Sequence, residues 1–428
     1  MDAAAERLAP LLSQLVNYER LRPDKRLWDL AAMRSLLVRP GAPPSPRPAV
    51  QVGGSKGKGT TSVFLGALAN AAGRTAGVYT SPHVTTLLER IVVDGRPIST
   101  AALEPLLRHV IAAGAGDRAP TFFEAMTIAA HDWFAAQRTD LAVYEVGLGG
   151  RHDATTALPV DASIVTTIEL EHTDVLGPTE AAIAAEKAFV VRERGLGFTA
   201  ARGEALPVLR RHAERVGARL FEFGEDFGLR GLRWQPDGCR SQLWLPDGRE
   251  LRLFLPDAAA YELTALALAA AAFAQVLPAA ELVLDPAPRP RLPCRFEVRT
   301  EPDGELLVLD GAHTEQSLGA VAAELQRRWP DRRAAVLFAS AAGKRWREGL
   351  SALLPIADSF VVTEVSGTAS EAPAALAAFL AAGGARCEVA ADVASGLAAV
   401  RRRPGPRLCV GSFYLAGQVR ALLDDARR

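Results

Sequence analysis

The sequence predicts an α/β protein, with a mainly parallel sheet in a larger first domain and a smaller α/β domain after it. Short apolar runs alternate with helical periodicities along the chain, a pattern typical of parallel sheets covered by helices. The 428 residues suffice for two to three domains. A proline-dense segment interrupts the alternation, because proline continues neither a helix nor a central strand. We therefore predict a first domain at 1–284, a linker at 285–294 and a second domain at 295–428.

Apolar spacing predicts the individual elements. Leucines at helical spacing indicate a helix near the N-terminus, and a proline-rich loop at 40–48 follows it. The strands predicted after this loop lie at 49–52, 77–80, 141–146 and 162–168, and the helices at 61–72, 122–137 and 178–191. In the second domain the predicted strands lie at 306–309, 334–338, 359–363 and 408–411, with a helix at 316–328.

Composition excludes several classes of function. Lys plus Arg and Asp plus Glu both number 49, so nothing favours a nucleic acid or an anionic membrane as the main partner. The four cysteines are far apart and form no CxxC pair, which predicts reduced, mostly buried thiols. The N-terminus lacks the apolar stretch of a signal peptide. The alanine-rich stretch 258–277 contains Glu262 and predicts a packed helix. We expect a cytoplasmic protein.

Lysine is scarce in this chain. It has five lysines beside 44 arginines, so its cations are almost all guanidinium groups. A lysine kept against this bias can mark a place that needs a compact ammonium or a nucleophilic amine, which a planar guanidinium does not replace. Two of the five, Lys56 and Lys58, lie in one glycine-rich segment.

That segment, 54–61, reads Gly-Ser-Lys-Gly-Lys-Gly-Thr-Thr and connects a predicted strand to a predicted helix. Such a loop points backbone N–H groups at phosphates, and the N-terminus of the helix adds a favourable potential. Lys58 would contact the β- and γ-phosphates, and the Thr60 hydroxyl would ligate Mg²⁺. The alternative is a glycine-rich turn without a ligand. The candidate nucleotide-binding residues are Gly54, Ser55, Lys56, Gly57, Lys58, Gly59, Thr60 and Thr61.

Polar residues follow several predicted strands. Glu145 ends one strand, and a carboxylate there commonly holds a metal beside a phosphate loop, although it could be an ordinary strand-end residue. His172 follows the next strand, where a lone histidine is a ligand or a structural residue. Asp310 and His313 come after a strand of the second domain, and Arg295 begins that domain, from which it could reach phosphates.

Lys187 is a helical lysine with apolar neighbours on both sides. These flanks favour burial over a solvated surface position. A buried lysine prefers its neutral form, and a neutral amine can react with CO₂.

At these residues the sequence resembles the folylpolyglutamate synthase/dihydrofolate synthase branch of the Mur ligase family, over nearly the whole chain. The matching segments occur in the expected order at 54–61, 79–83, 89–91, 122–124, 145–155, 172–177, 186–188, 295–297, 310–313 and 411–415. The resemblance implies a P-loop NTPase-like, mainly parallel sheet domain followed by a smaller Rossmann-like α/β domain, the Mur ligase type of fold.

The resemblance also implies an activity. In such enzymes ATP phosphorylates a carboxylate, and the amino group of L-glutamate attacks the acyl phosphate to form an amide. The implied acceptors are dihydropteroate, reduced folates or both. The implied cofactors are ATP and Mg²⁺ at two sites, with a carbamylated Lys187 assisting the second Mg²⁺. The implied partners are these small molecules, with no nucleic acid and no membrane, and the implied state is a monomer.

Site residues are implied in four groups. The catalytic residues are Lys58, Lys187, His172, Asp310 and His313. The metal ligands are Thr60, Glu145 and His172, and nucleotide contacts beyond the loop come from Thr264, Arg295 and Asp310. The substrate-binding residues are Thr80, Ser81, Pro82, His83, Glu89, Arg90, Phe123, Arg151 and Asp153.

The chain departs from the family pattern mainly near the nucleotide base and in the second domain. Lys56 stands where the family has Asn, Thr264 ends a changed His-Gln-x-x-Asn motif, and Cys294 replaces a usual Gly. Thr314 and Glu315 replace Asn-Pro. Three other functions stay open: a ligase of the same mechanism for another acid, a catalytically degenerate paralogue that binds nucleotide or folate, and a P-loop switch protein.

Overall fold

The computed structural model describes residues 3–17, 30–114, 118–290 and 292–425. The chain divides into two compact units, Met1–Pro290 and Arg291–Arg428. Each unit is described by itself.

The first unit contains two sheets and their covering helices. Its helices are α1 (Ala3–Leu12), α2 (Ala31–Leu37), α3 (Lys58–Ala71), α4 (Thr100–Ala113), α5 (Phe122–Ala136), α6 (Thr173–Leu176), α7 (Glu180–Lys187), α8 (Ala205–Arg215) and α9 (Ala260–Val276). Its strands are β1 (Ala49–Gly53), β2 (Ala76–Tyr79), β3 (Ile91–Val93), β4 (Arg96–Pro97), β5 (Leu141–Glu145), β6 (Ala162–Val165), β7 (Leu196–Thr199), β8 (Arg219–Glu222), β9 (Gly228–Gln235), β10 (Gly238–Trp244) and β11 (Glu250–Pro256).

The larger sheet has eight strands in the order β4-β3-β2-β5-β1-β6-β7-β8. The pairs from β2 to β8 are parallel, whereas β3 and β4 join antiparallel at one edge. Strand β1 lies between β5 and β6, so the segments that leave these three strands start side by side. Parallel topology therefore gathers residues from distant parts of the sequence at one edge.

Both faces of this sheet are buried. On β5, Leu141 and Val143 join one core, while Ala142 and Tyr144 join the core on the opposite face. Successive side chains of a strand point to opposite faces of the sheet, so a strand that is covered on both faces needs apolar residues at every position. This explains the continuous apolar pattern at 141–146.

Helix α9 confirms the packed helix predicted at 258–277. Twelve of its residues are buried, and it packs against α3. Within the described part of the chain, no helix combines the length and the apolar character needed to cross a membrane.

Two predicted elements are shorter in the structure by three residues or more. The strand predicted at 162–168 ends at Val165, because the chain beyond it turns to bond the segment after β1. The helix predicted at 178–191 becomes α7 followed by a short 3₁₀ helix, Ala188–Val190.

The second unit has one sheet of six strands. Its strands are β12 (Glu297–Thr300), β13 (Leu306–Leu309), β14 (Ala334–Phe338), β15 (Ala357–Val362), β16 (Cys387–Val389) and β17 (Arg407–Val410). Its helices are α10 (Glu315–Arg328), α11 (Trp346–Leu353), α12 (Pro373–Ala382), α13 (Val393–Arg401) and α14 (Phe413–Asp425). The strand order is β12-β13-β17-β14-β15-β16, and all pairs except β12–β13 are parallel.

This order places three segments at one edge of the second sheet. Strands β13 and β17 are parallel neighbours, so the residues that follow them lie together. Strand β12 runs antiparallel to β13, with Glu297 opposite Leu309, so the residues before β12 start at the same edge.

The four cysteines are unpaired, as predicted. Cys239, Cys294 and Cys409 are buried, and Cys387 is half-buried. The predicted fold class is confirmed by both sheets: a mainly parallel sheet in the first unit and a separate α/β sheet in the second.

Candidate functional site

The loop between β1 and α3 has a shape that depends on glycine. Gly54 has a φ of 126°, and a Cβ there would overlap the Thr166 hydroxyl. Gly57, with a φ of 82°, is the N-cap of α3 in the left-handed region that favours glycine. The glycines of the motif therefore allow both the turn and the close approach of another segment.

The segment after β6 holds this loop in place. The Ser55 amide donates to the Thr167 carbonyl over 2.6 Å, and the Thr166 hydroxyl donates to the Lys56 carbonyl over 2.7 Å. The Glu169 amide donates to the Ser55 hydroxyl over 3.0 Å. The loop is thus fixed before the first turn of α3, where helical amides lack intrahelical acceptors and attract anions.

Three of the chain's five lysines converge at this loop. Lys58 Nζ donates to the carbonyls of Gly54 (3.0 Å) and Ser55 (3.2 Å), and Lys187 Nζ donates to the Gly54 carbonyl over 2.8 Å. The Glu171 carboxylate accepts from Lys187 over 3.1 Å and from Lys56 over 3.2 Å. We call Lys56, Lys58, Lys187 and Glu171 the lysine cluster.

Burial and mutual charge shift the pKa values in the lysine cluster. The Lys187 residue is 2% exposed, which confirms the predicted burial. Burial, with the charge of Lys58, lowers the pKa of Lys187 to about 8. Burial also lowers the pKa of Lys56. Burial opposes ionisation of Glu171, but the surrounding lysines hold its pKa below the usual value.

Sequence reasoning missed Glu171 as a site residue. A signal was present, since Glu171 directly precedes His172 in a polar segment that follows an apolar strand. Its partners could not be inferred, because they depend on the way this segment folds back over the loop after β1.

Glu145 lies at the end of β5, beside the first turn of α3. It is buried, and its Oε2 accepts from the Ser81 amide over 2.9 Å. A Cβ on Gly59 would lie 3.4 Å from the same oxygen, so the bare glycine leaves space for the carboxylate. Thr60 follows Gly59 in this turn, and exposed His172 is the N-cap of α6 with a φ of 48°. Over residues 3–17, 30–114, 118–290 and 292–425, no group of three or more His, Cys, Asp or Glu side chains could by itself hold a metal.

The segment 80–90, which contains the predicted substrate residues at 80–83, 89 and 90, is held by its own side chains. Glu89 accepts from the Val84 amide over 2.8 Å and from the Thr85 amide over 3.2 Å. Arg90 is buried, and its Nε donates to His83 Nδ1 over 2.9 Å. The contacts of Glu89 and Arg90 thus fix the loop that carries Thr80, Ser81, Pro82 and His83, and the direct substrate role predicted for them stays a prediction.

Asp153 and Phe123 shape the glycine turn after β5. Asp153 Oδ2 accepts from the amides of Gly147 (2.9 Å) and Leu148 (3.1 Å), and burial raises the pKa of this carboxyl. The Phe123 ring packs so closely that a Cβ on Gly147 would lie 2.7 Å from it. Arg151 lies over the Phe189 ring, 4.1 Å from its centroid.

The Asp310 carboxylate accepts hydrogen bonds from two backbone segments of the second unit, one next to Arg295 and one next to His313. Its Oδ2 accepts from the Phe296 amide and its Oδ1 from the Ala312 amide, each over 2.7 Å. His313 Nδ1 lies 2.9 Å from the Gly311 carbonyl, which assigns the proton to Nδ1. Asp310 therefore joins the segment that carries Arg295 to the loop that carries His313. Thr264 belongs to the first unit, half-buried in the second turn of α9.

The loop between the buried parallel strand β1 and helix α3 is rich in glycine and carries two lysines, and Glu145 lies at the end of the neighbouring strand. These features define a P-loop nucleotide-binding α/β protein. Comparison with known proteins carries this further. Residues 294–410 match the family model described as "Mur ligase, glutamate ligase domain".

One curated relative and two solved structures extend over nearly all of the chain. A probable bifunctional folylpolyglutamate synthase/dihydropteroate synthase of Haloferax volcanii is 34% identical over 425 residues, 93% of this chain and 50% of that protein. The Mycobacterium tuberculosis folylpolyglutamate synthase complexed with ADP and AMPPCP is 26% identical, with a TM-score of 0.86 and 98% of each chain covered. A bifunctional folylpolyglutamate synthase/dihydrofolate synthase of Yersinia pestis complexed with AMPPNP and Mn ion is 27% identical, with a TM-score of 0.81 and 98% of each chain covered.

The chain spans about half the length of the curated relatives it matches. Over nearly its whole length it is similar to proteins of the folylpolyglutamate synthase/dihydrofolate synthase branch of the Mur ligase family.

Proposed function

We propose that the protein is an ATP-dependent ligase that joins L-glutamate to a pterin-linked acid, either dihydropteroate or a reduced folate. The observation that carries this proposal is the lysine cluster, in which buried Lys187 of α7 and Lys58 of the phosphate loop donate to the same Gly54 carbonyl. A site for nucleotide phosphates alone does not require a second, buried amine at the loop. An acyl-phosphate ligase brings two anions together and needs such additional charge.

The phosphate loop would bind ATP through its backbone and Lys58. The first amides of α3 would contact the phosphates, and Lys58 would leave the carbonyls of Gly54 and Ser55 for the β- and γ-phosphates. Lys56 would add a further cation at the mouth of the loop. In the second unit Arg295 would bind phosphate and His313 would face the nucleotide, while Asp310 would hold both segments through the Phe296 and Ala312 amides.

Thr60, Glu145 and His172 form the donor set proposed for the divalent ion. A hydroxyl and a buried carboxylate suit Mg²⁺ and Mn²⁺, and the imidazole adds a ligand that Mn²⁺ accepts readily. Gly59 places no side chain beside the Glu145 carboxylate, and the ion would lie on this side of it. When bound, the metal offsets the charge between the γ-phosphate and the acceptor carboxylate. The relative of known structure that binds AMPPNP and Mn ion supports this assignment.

Lys187 would be carbamylated in the working enzyme. With a pKa of about 8, its neutral amine is populated near neutral pH, and addition of CO₂ forms a carbamate with release of one proton. The carbamate would give up the hydrogen bonds to Gly54 and Glu171 and would assist a second Mg²⁺. Lys56 and Lys58 would then offset the two neighbouring anions, Glu171 and the carbamate.

The acceptor would lie along the segment 80–83 and the glycine turn after β5. His83 is oriented by Arg90, and Phe123 offers an apolar surface beside that turn. The acceptor carboxylate would attack the γ-phosphorus and expel ADP, and the glutamate amine would then attack the acyl phosphate, forming the amide and releasing phosphate. We expect a monomer that uses only these small molecules.

The test is ADP release from Mg²⁺-ATP with dihydropteroate, tetrahydrofolate or no acceptor, each with and without L-glutamate. We expect release that requires both acceptor and glutamate, and a product heavier by one glutamate residue. Release with another acid only would favour a same-mechanism ligase of different substrate. ATP binding without turnover would favour a degenerate paralogue, and hydrolysis indifferent to glutamate would favour a switch protein.

A further inference from the structure

Phe413 lies where three segments of the second unit meet. It is the first residue of α14, just after β17. The Arg295 guanidinium carbon is 4.0 Å from the centroid of the Phe413 ring. The His313 ring centroid is 6.1 Å from the same ring, tilted by 60°. One aromatic ring therefore contacts two side chains of the proposed nucleotide site.

The ring itself is held against the loop after β13. A Cβ on Gly311 would overlap the Phe413 ring, so the ring lies directly on the bare backbone of that glycine. The Gly411 amide donates to the Ala312 carbonyl over 2.8 Å, which joins the loop after β17 to the loop after β13. The backbone of Gly311 thus supports the Phe413 ring, and the backbone hydrogen bond between Gly411 and Ala312 holds the two loops together.

The segment that carries Arg295 has an unusual conformation. Cys294 and Phe296, on either side of Arg295, have φ values of 55° and 44°, which residues with a side chain adopt infrequently. The Asp310 carboxylate holds the Phe296 amide, and the Gly311 amide donates to the Cys294 carbonyl over 3.0 Å. Strained backbone persists where surrounding contacts enforce it, and it is concentrated at functional sites.

We propose that Phe413 is a positioning residue, which holds the guanidinium of Arg295 and the imidazole of His313 for binding the nucleotide. The inference rests on the proposed function, which assigns the phosphate contact to Arg295. An arginine side chain has many rotamers, and a face-on contact with an aromatic ring restricts them before the ligand arrives. Less conformational entropy is then lost when the phosphate binds.

The test compares ADP affinity of full-length variants by calorimetry, with thermal unfolding as a check of folding. Phe413→Met keeps the side-chain volume but removes the π face. We expect it to weaken ADP binding about tenfold, within the range of a partly desolvated cation–π contact. Phe413→Tyr keeps the ring and should restore affinity. Tyr414→Leu, at the exposed next position of α14, is the matched control and should bind as wild type. If Phe413→Met does not fold, Phe413→Leu takes its place.

A double variant separates positioning from packing. If Phe413 acts through Arg295 and His313, Phe413→Met should cause a smaller loss of ADP affinity in an Arg295→Gln background than in wild type, because only the contact with His313 then remains. Additive losses, or a Phe413→Tyr variant as weak as Phe413→Met, would overturn the inference. Wild-type ADP affinity in Phe413→Met would overturn the inference about Phe413 and leave the proposed function unaffected. A wild-type chain that binds no ADP would overturn both the inference and the proposed function.

Discussion

Lys56, Lys58 and Lys187 all act electrostatically on the Glu171 carboxylate, so the lysine cluster consists of three amino groups and one carboxylate. Two of its bonds end on the Gly54 carbonyl, which is a weak partner for two ammonium groups. An incoming polyphosphate offers several charged oxygens to the same groups, and charge-assisted hydrogen bonds are stronger than those to a neutral carbonyl. The cluster is therefore suited to exchange backbone acceptors for phosphate oxygens.

Lys58→Ala should abolish ATP turnover and leave the fold intact. Among the described residues, the side chain donates to two loop carbonyls, so its loss removes little native structure but takes away the charge proposed for the β- and γ-phosphates. ADP release and thermal unfolding measure the two effects. Arg194→Ala removes a cation that is exposed on the surface and serves as the control. Wild-type turnover in Lys58→Ala would contradict the phosphate-loop assignment.

Lys187→Ala should lose activity and regain part of it with added short-chain carboxylates. The truncation leaves a space next to Gly54 and Glu171, into which acetate or formate could bring the anionic oxygens that a carbamate would supply. Turnover is measured with and without the added carboxylate, and with added chloride as the control. A fully active, unrescued variant would show that Lys187 plays no part in the reaction.

The stability of the protein should respond to the charge of Lys187. Its pKa is about 8 in the folded state, below the ordinary value of 10.5, so between these values the unfolded chain binds more protons. Relative to Lys187→Met, wild type should therefore gain stability as pH rises from 8 to 10.5, with a slope of at most about 1.4 kcal/mol per pH unit. Urea unfolding in CO₂-free buffer with EDTA measures the difference. If the difference in free energy of unfolding between wild type and Lys187→Met stayed constant with pH, the amine of Lys187 would titrate as in the unfolded chain.

At the scale of secondary-structure elements, Gly59 in the first turn of α3 lowers the stability of the helix but leaves the proposed metal site free of a side chain. Gly59→Ala should raise the free energy of unfolding by about 0.5 kcal/mol, since alanine is the better helix former. The new methyl group would lie 3.4 Å from a Glu145 oxygen, in the space assigned to the metal. We therefore expect a protein that unfolds later but binds Mn²⁺ more weakly, measured by electron paramagnetic resonance.

Gly319→Ala provides the matched control for that substitution. Gly319 lies within α10, and a Cβ there would meet nothing within 4 Å. It should raise stability through the same helix propensity and leave Mn²⁺ binding unchanged. Equal Mn²⁺ affinity in Gly59→Ala and Gly319→Ala would refute the placement of the ion beside Glu145.

The buried parallel strands could be predicted from the sequence, whereas a whole antiparallel sheet was missed. Strands β1, β5 and β13 are short apolar runs because both faces of their sheets are covered. Strands β9, β10 and β11 pair antiparallel, and their two connections contain Asp237, directly before Gly238, and Asp247-Gly248. Asp-Gly dipeptides commonly mark hairpin turns. The signal was in these turns, but β9 is exposed along most of its length and shows little apolar pattern.

The sequence predicts the position of those candidate site residues that lie at the ends of strands, but not the contacts made within loops. Glu145 and the phosphate loop follow neighbouring strands, so their proximity is a consequence of topology. The partners of Glu171, Glu89 and Asp310 lie in loops, and loop hydrogen bonds leave no periodic trace in a sequence. Glu89 and Asp310, predicted to contact ligands, accept hydrogen bonds from backbone amides, and their ligand contacts stay predictions.

For the whole molecule, the division of the proposed site residues between two units yields the last prediction. A fragment of residues 1–290 should fold and bind ADP but release none from ATP with acceptor and glutamate. Its hydrophobic cores consist of its own residues, and it holds the phosphate loop, the lysine cluster and Glu145. Arg295, Asp310 and His313 belong to the other unit.

Calorimetry with ADP and a turnover assay on the same preparation separate these two expectations. Lys58→Ala within the fragment is the control, because it should remove ADP binding without changing the unfolding transition. A fragment that turns over ATP at the rate of the whole chain would show that Arg295, Asp310 and His313 are dispensable. A fragment that does not unfold cooperatively would show that the second unit is needed for the first to fold, since a domain with its own core is expected to fold alone.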